Sequence, residues 1–428
     1  MAFTPEINSY LTGLRESSTL AINMQAKKMR REGVDVAHFG FGQSPFAVPE
    51  LIQNALARNT HQKDYLPTRG LPELCEAISS SYEKLYDSKL DPELVLVGPG
   101  SKELIFQTLY ALEGPVFVPA PSWVSYGPQL NLRGKEMVPV ITQRENSYKL
   151  SGKDLEDAAY EFGDEQKILI LNNPSNPSGS VYTDNELKAI SEVCRRRRIL
   201  IISDEIYRLV DFSGRKSKGF LDFYPEGTIV TQGLSKSHAA GGYRFGYIAF
   251  PHSMKTVVKA LSAMISETFS AVSSPIQYAA LAAYEYSDEL GPVIDMYTQI
   301  HEMCSLYLYE SFIDMGLSCP RPEGAFYLFP DFQNFEEKLK VLGINGSKEL
   351  AEHLLKNYSV AVLPGSDFYY PDELFAVRVA AVDIDGPKVY QAAIETGAEK
   401  LDLDFVRKNC PQLVKGQAAI KGFLSNLE

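Results

Sequence analysis

Very little in this 428-residue chain suits a metal centre, a disulfide framework or a membrane. Its five cysteines, Cys75, Cys194, Cys304, Cys319 and Cys410, include no C-x-x-C spacing, so neither a zinc knuckle nor a paired-thiol motif is written in them. The six histidines include no H-E-x-x-H, and no metal is expected. No apolar run approaches the roughly 20 residues of a membrane-spanning helix. The opening Met1-Ala2-Phe3-Thr4-Pro5-Glu6 lacks the basic start of a signal peptide, so a cytoplasmic location with reduced thiols is expected. Basic residues are in deficit: 42 Lys and Arg against 54 Asp and Glu leave a net charge of −12, which argues against a nucleic-acid partner. The one basic run, Arg195 to Arg198, falls at an expected helix end, where positive charge complements the dipole. Internal repeats and low-complexity tracts are absent too.

What is present is an ordinary globular composition, 45% hydrophobic and 22% charged, with length for two or three domains. Short apolar runs alternate with helical patterns. Strands are expected at 94–97, 116–118, 138–140, 167–171, 200–203, 229–231 and 247–250. Such alternation predicts an α/β fold, a mostly parallel central sheet flanked by helices. A long helix is expected over 291–315. Strands at 325–329, 360–362 and 376–380, with helices at 347–356 and 387–400, predict a smaller α/β C-terminal domain. An N-terminal arm over 12–34 completes it. The resulting division is 1–48 (arm and part of the small domain), 49–290 (large domain) and 291–428 (small domain). The segment after Leu403 reads as polar and is assigned to the small domain.

Against this background one segment stands out, Gln232-Gly233-Leu234-Ser235-Lys236-Ser237-His238, with Arg244 eight residues after the lysine. A lysine among small polar residues, just after a strand, can form an imine with an aldehyde cofactor. Arg244, on a glycine-bearing turn, can grip a phosphate. Together they suggest pyridoxal phosphate. A loop lysine is more ordinarily a surface side chain, and three further motifs bear on the choice. Asn172-Asn173-Pro174-Ser175-Asn176-Pro177-Ser178-Gly179 makes a rigid turn after a strand and can present an asparagine amide to a ligand. Ile201-Ile202-Ser203-Asp204-Glu205-Ile206-Tyr207 sets a carboxylate at a strand's C-terminal end, where open α/β sheets bind ligands. Asp204 can pair with a protonated pyridine nitrogen, or it can simply cap the turn. Leu94-Val95-Leu96-Val97-Gly98-Pro99-Gly100-Ser101-Lys102 reads as strand, glycine turn and helix start, a ready phosphate site. A dinucleotide site competes there, but Glu103 stands where the third glycine would be, and no Walker A sequence occurs.

In this order the motifs resemble the fold-type-I pyridoxal-phosphate-dependent aminotransferases of class I/II, the aspartate aminotransferase-like family. The resemblance runs from Ser17-Ser18-Thr19-Leu20 to Arg378. It implies an amino acid:2-oxo acid aminotransferase with ping-pong kinetics through a Lys236 aldimine. In it, Asp204 pairs with the pyridine nitrogen, and Tyr207 and Asn176 bond the ring oxygen. Trp123, in Ala120-Pro121-Ser122-Trp123-Val124-Ser125-Tyr126, stacks on the ring. Arg244 and the Gly100-Ser101-Lys102 backbone hold the phosphate, with Ser235 beside the lysine. Arg378 grips the substrate α-carboxylate, helped by the backbone of Gly42. Tyr65 matches a tyrosine that reaches the neighbouring subunit's phosphate, so the resemblance implies a homodimer with shared active sites. Two departures stand out. Gly233 and Leu234 occupy a stretch where many relatives carry a phosphate-binding serine, a contact Ser101 can supply. The N-terminal glycine motif continues Gln43-Ser44-Pro45, not Glu-Pro or Asp-Pro, on the substrate side. A carbon–sulfur β-lyase on the same scaffold is the enzymatic alternative. A cofactor-sensing regulator is the non-enzymatic one, and it would need a DNA-binding extension. Aromatic, alanine-type and dicarboxylic substrates all stay open. In some aspartate/prephenate-type relatives a lysine matching Lys102 faces a distal carboxylate, although Lys102 also reads as a first-turn surface residue.

Overall fold

The computed structural model describes residues 5–12, 14, 16–213, 217–285 and 289–427. Met1 to Thr4, and Gly13 and Arg15 of the expected arm, therefore lie outside the described residues. The strands are β1 (Ala37–His38), β2 (Val95–Gly98), β3 (Val116–Ala120), β4 (Met137–Ile141), β5 (Lys167–Asn172), β6 (Ile199–Asp204), β7 (Thr228–Gly233), β8 (Gly246–Ala249), β9 (Tyr327–Leu328), β10 (Val360–Ala361), β11 (Leu363–Pro364) and β12 (Val377–Ala380). Seven of them form one sheet in the order β2-β8-β7-β6-β5-β3-β4. All neighbours are parallel except those of β8, which runs antiparallel to both β2 and β7.

The sequence explains this sheet. β5 (Lys-Ile-Leu-Ile-Leu-Asn) and β6 (Ile-Leu-Ile-Ile-Ser-Asp) are apolar without alternation, as strands covered on both faces must be. β5 is buried along its whole length and β6 along nearly all of it. Even Lys167 is buried at the start of β5, because its ammonium donates to the carbonyls of Gly163 (2.7 Å), Glu165 (2.6 Å) and Arg197 (3.1 Å). Asn172 and Asp204 then pair across β5 and β6 at the C-terminal edge. The helix Asp184–Arg197 between these strands starts with a Thr183–Glu186 capping box and ends in the basic run. Arg195 pairs with Glu226 at 2.7 Å, and Arg196 and Arg197 pair with Glu156, so the run is a solvated, paired helix end.

A second, three-stranded sheet (β11-β12-β9) and the pair β1-β10 lie against the long helix Leu290–Asp314. β9 is shorter than the strand expected over 325–329, because Ala325 adopts a left-handed φ of 57° and interrupts the extended backbone. The segment after Leu403 is not a polar tail. It forms two helices, Leu403–Asn409 and Pro411–Ser425, which bury Phe405, Val406, Leu413, Ile420, Phe423 and Leu424 in the same core as the long helix. Each such side chain contributes about 1.5–3 kcal/mol when fully buried. No helix among the described residues is long and apolar enough to cross a membrane.

Candidate active site

The C-terminal ends of β2, β5, β6 and β7 open into one cleft of about 530 Å³, closed on its other side by Ser17, Phe41, Gly42, Tyr327 and Arg378. It is the size of an ordinary small-ligand site. Of the residues read from sequence, Gly42, Gly100, Ser101, Lys102, Trp123, Asn176, Asp204, Tyr207, Ser235, Lys236, Arg244 and Arg378 all line it. Tyr65 does not. It lies 96% exposed on the loop between the helices Glu50–Arg58 and Pro72–Tyr86.

Lys236 leaves the end of β7, and its ammonium donates to the Gly42 carbonyl at 2.8 Å. Burial, with the Arg378 charge, pulls its pKa down to about 7, while Asp204 pulls the other way. A large share of this amine is therefore unprotonated near neutrality. Asp204 is 2% exposed. Its Oδ2 accepts from the Tyr126 hydroxyl at 2.8 Å and its Oδ1 from the Ile206 N–H at 3.3 Å. Burial lifts its pKa to about 6, against the lowering effect of those two hydrogen bonds. Tyr207 shares a 2.8 Å hydrogen bond with the hydroxyl of Tyr327. Asn172 braces this end of the sheet: its Nδ2 donates to the Asp204 carbonyl at 2.8 Å and its Oδ1 accepts from the Asn176 N–H at 2.8 Å.

Arg378, on β12, is 1% exposed yet meets no carboxylate among the described residues. It donates to the Gly40 carbonyl (2.7 Å) and Asn176 Oδ1 (3.3 Å), and its Nε is left without a partner. Its guanidinium lies 4.7 Å from the Tyr327 ring centroid and 5.1 Å from that of Phe368. Arg244, with a left-handed φ of 55°, donates among the described residues to the carbonyls of Gly241 and Pro99, both at 2.9 Å. Gly100 precedes the helix Ser101–Ala111 with φ +97°, and a Cβ there would stand 2.7 Å from Arg244 Nη2. Only glycine lets the arginine and the free N–H groups of that helix converge. Gly42 is equally constrained, since a Cβ would fall 1.9 Å from the Tyr327 hydroxyl.

Sequence reasoning did not assign Tyr126, Asn172 or Tyr327. Tyr126 closes the tryptophan motif, and its placement three residues after Trp123, at the start of the helix Tyr126–Arg133, was the available signal. Tyr327 carried none.

Four cations (Lys102, Lys236, Arg244 and Arg378) and a single carboxylate (Asp204) line the cleft, and none is ion-paired among the described residues. In a chain of net charge −12 this is a local positive focus. It suits a ligand carrying a phosphate, an electrophilic carbon for the amine and a basic ring nitrogen for the aspartate. Pyridoxal phosphate has all three, and the residues present fit it.

The aminotransferase class I and II family matches residues 34–386. The chain belongs to this family. Members use pyridoxal phosphate, and the chain is a pyridoxal-phosphate-dependent aminotransferase acting on amino acids and 2-oxo acids. It is 34% identical to the aspartate aminotransferase of Bacillus subtilis strain 168 over 383 residues, 87% of this chain and 94% of that protein. It is 35% identical to a probable aspartate/prephenate aminotransferase of Aquifex aeolicus over 371 residues, 85% of this chain and 91% of that one. The aspartate aminotransferase of Thermus thermophilus with maleate shares the fold at a TM-score of 0.83 and 26% identity, covering 97% of this chain and 100% of that one.

Proposed function

We propose that this aminotransferase takes a dicarboxylic L-amino acid of the aspartate type as amino donor. The carrying observation is Lys102. Once Arg244 has a phosphate, Arg378 an α-carboxylate and Lys236 the aldehyde carbon, Lys102 is the remaining cation of the cleft without a counterpart. Its ammonium sits 5.2 Å from the Trp123 ring centroid, and burial, then the nearby Arg244, lowers its pKa. A second carboxylate relieves both effects. The names of the aspartate and aspartate/prephenate relatives support the same substrate class.

The geometry supports the following residue roles. When bound, pyridoxal phosphate supplies an aldehyde carbon to take the amino group and an electron-withdrawing ring that acidifies the substrate Cα–H. Lys236, about half deprotonated near pH 7, would accept the Cα proton and return it to the carbon that takes the amino group. Asp204, oriented by Tyr126 and the Ile206 N–H, would pair with the ring nitrogen. Tyr207 and Asn176 serve the ring oxygen, Trp123 its face. Arg244, Gly100, Ser101 and Ser235 serve the phosphate. Arg378, with the Gly42 backbone, takes the α-carboxylate of amino and 2-oxo acid alike, so one site serves both half-reactions in turn.

A homodimer with shared sites belongs to the same reading. Tyr65 is almost wholly exposed in one chain, as a residue donated to a neighbour would be. The division at 48 and 290 is supported by β1, which pairs in parallel with β10 and so joins the N-terminal arm to the C-terminal sheet region. The cysteines, four of them buried as free thiols and with Cys304 and Cys410 sharing a weak 4.0 Å S–H···S hydrogen bond, suit a reducing cytoplasm.

The test is a single-turnover screen of the cofactor-loaded enzyme with aspartate, glutamate, alanine and phenylalanine. Aspartate should react fastest, and Lys102→Ala should slow aspartate at least tenfold, about 1.4 kcal/mol, while leaving alanine within about twofold. Equal losses for aspartate and alanine would remove the dicarboxylic assignment.

A further inference from the structure

The turn that follows β6 splits its side chains between two sides. Asp204 and Tyr207 line the cleft; Glu205 and Arg208 are buried away from it, 3% and 6% exposed. Four donors converge on the Glu205 carboxylate. Ser203 Oγ reaches Oε1 at 3.0 Å, while Arg208 Nη1 (2.7 Å), Tyr82 Oη (3.1 Å) and Gln232 Nε2 (3.1 Å) reach Oε2. Arg208 also donates to Tyr82 Oη and, at 2.9 Å, to the Ser217 carbonyl. Its guanidinium lies 3.6 Å from the Tyr86 ring centroid. The network thus ties the turn to β7 through Gln232 and to the helix Pro72–Tyr86 through Tyr82 and Tyr86.

None of the proposed chemistry uses this pair. Stability alone is a weak reason for it, because a buried ion pair is often matched or exceeded by apolar side chains of equal volume. The backbone gives a better one. Asp204 Oδ1 takes its hydrogen bond from the Ile206 N–H, Arg208 N–H bonds the Glu205 carbonyl at 2.9 Å, and Glu205 N–H bonds the Thr231 carbonyl at 2.9 Å. The direction of the 205–206 peptide therefore sets where the Asp204 carboxylate points, and the Glu205 side chain anchors that peptide. We propose that Glu205 and Arg208 are positioning residues, a buried clamp on the back of the turn that holds Asp204 and Tyr207 in their working geometry. The clamp also acts electrostatically. The charged or titratable groups around Asp204 are Tyr126, Tyr207, Lys236 and Glu205, and the Glu205 charge is one of the influences that raise its pKa. Arg208 is the counter-charge that keeps this influence in check.

The proposal rests on the reading that Asp204 faces the cofactor's ring nitrogen, and the experiment separates the two. The double variant E205L/R208M replaces the pair with apolar side chains of similar size, and Y82F removes one hydroxyl from the network at no change of charge. For each, three quantities are measured on the cofactor-loaded enzyme: melting temperature, the pH midpoint at which the visible band of the bound cofactor changes, and single-turnover kcat and KM with aspartate. The clamp predicts a melting temperature within a few degrees of wild type for the double variant. It predicts a band midpoint moved by half a pH unit or more, and a kcat about tenfold or more lower with KM within about threefold, since small misplacements of a working group cost rate before binding. Y82F should show the same signs at two- to fivefold. A folded double variant with wild-type midpoint and kcat overturns the proposal. If the double variant does not fold, an unchanged midpoint and kcat in Y82F overturn it. Asp204→Ala is the control: if it leaves the midpoint unmoved, the site reading fails and not the clamp alone.

Discussion

Replacing Lys236 with methionine should stabilise the cofactor-free protein, although it removes the residue on which turnover depends. In the folded chain its pKa is about 7, lowered first by burial and then by Arg378. In the unfolded chain it titrates near its ordinary value of about 10.4. Between these values the unfolded state binds the extra proton, so folding stability rises with pH through that window. One proton is worth about 1.4 kcal/mol per pH unit, so wild type should gain about 2 kcal/mol between pH 7 and pH 9. At pH 7 nearly the whole penalty of holding the charge in the cleft is present. Lys236→Met should relieve about 2–4 kcal/mol of it, the lower figure allowing for the partial exposure of the side chain. Urea unfolding of both cofactor-free proteins at pH 6, 7, 8 and 9 reads this directly, and the difference between them cancels every other titrating group. Asp204 does not confuse the window. Its folded pKa is raised to about 6, so its unfavourable effect develops as pH climbs from about 4 to 6 and is constant above. A wild-type advantage at pH 7, or a difference that does not change between pH 7 and 9, would refute the reasoning that the cleft holds this amine as a desolvated cation.

Three further outcomes follow from the same geometry. Asp204→Ala should slow Cα proton transfer far more than amino acid binding in pre-steady-state traces; equal losses in both, or none, would remove the ring-nitrogen role. Arg378→Ala should weaken amino acid and 2-oxo acid alike by about 2–5 kcal/mol, roughly thirty- to several-thousand-fold, because both present one carboxylate to a fully buried charge. Unchanged affinity for either would move the carboxylate site. Mixing Tyr65→Phe with Lys236→Ala subunits should restore activity toward about half of wild type per heterodimer, because one of two shared sites is then native. Mixed subunits no better than the sum of the parents would exclude sharing.

The large sheet was legible because its strands are short apolar runs, four of them ended by Gly, Asn or Asp, and all seven expectations overlap the observed strands. The helices after Leu403 were misread for a physical reason. Averaged over the segment, its lysines and glutamines dilute the apolar signal, yet Leu413, Gly416, Ile420 and Phe423 recur at helical spacing and are all buried. In the site, the legible residues are those whose chemistry is local to a motif. Tyr126 and Tyr327 were not legible as site residues because their partners, Asp204 and Tyr207, lie 78 and 120 residues away. Gly42 was legible only through the family resemblance, since the ring that forbids a Cβ there comes from the far sheet.

The unpaired charges of the cleft tie stability to function. Among the described residues Lys236, Arg244 and Arg378 each stand without a carboxylate ion pair, and Asp204 without a cation; burial disfavours the charge on Lys236, Arg378 and Asp204. Left alone, such groups lower the stability of the fold. A ligand that brings phosphate, carboxylate and a protonated ring nitrogen completes Arg244, Arg378 and Asp204, and it stabilises only the folded state, by RT ln(1 + [L]/Kd), about 4 kcal/mol at a thousandfold excess over Kd. The order of stability between wild type and Lys236→Met should therefore narrow or invert when pyridoxal phosphate is added, because only wild type can bond the cofactor through that amine. Substitutions that stabilise the empty protein at these positions are the ones that should bind the cofactor less tightly. A Lys236→Met protein that kept its full advantage in saturating cofactor would show that the cleft's charges are compensated within the chain and not by the ligand.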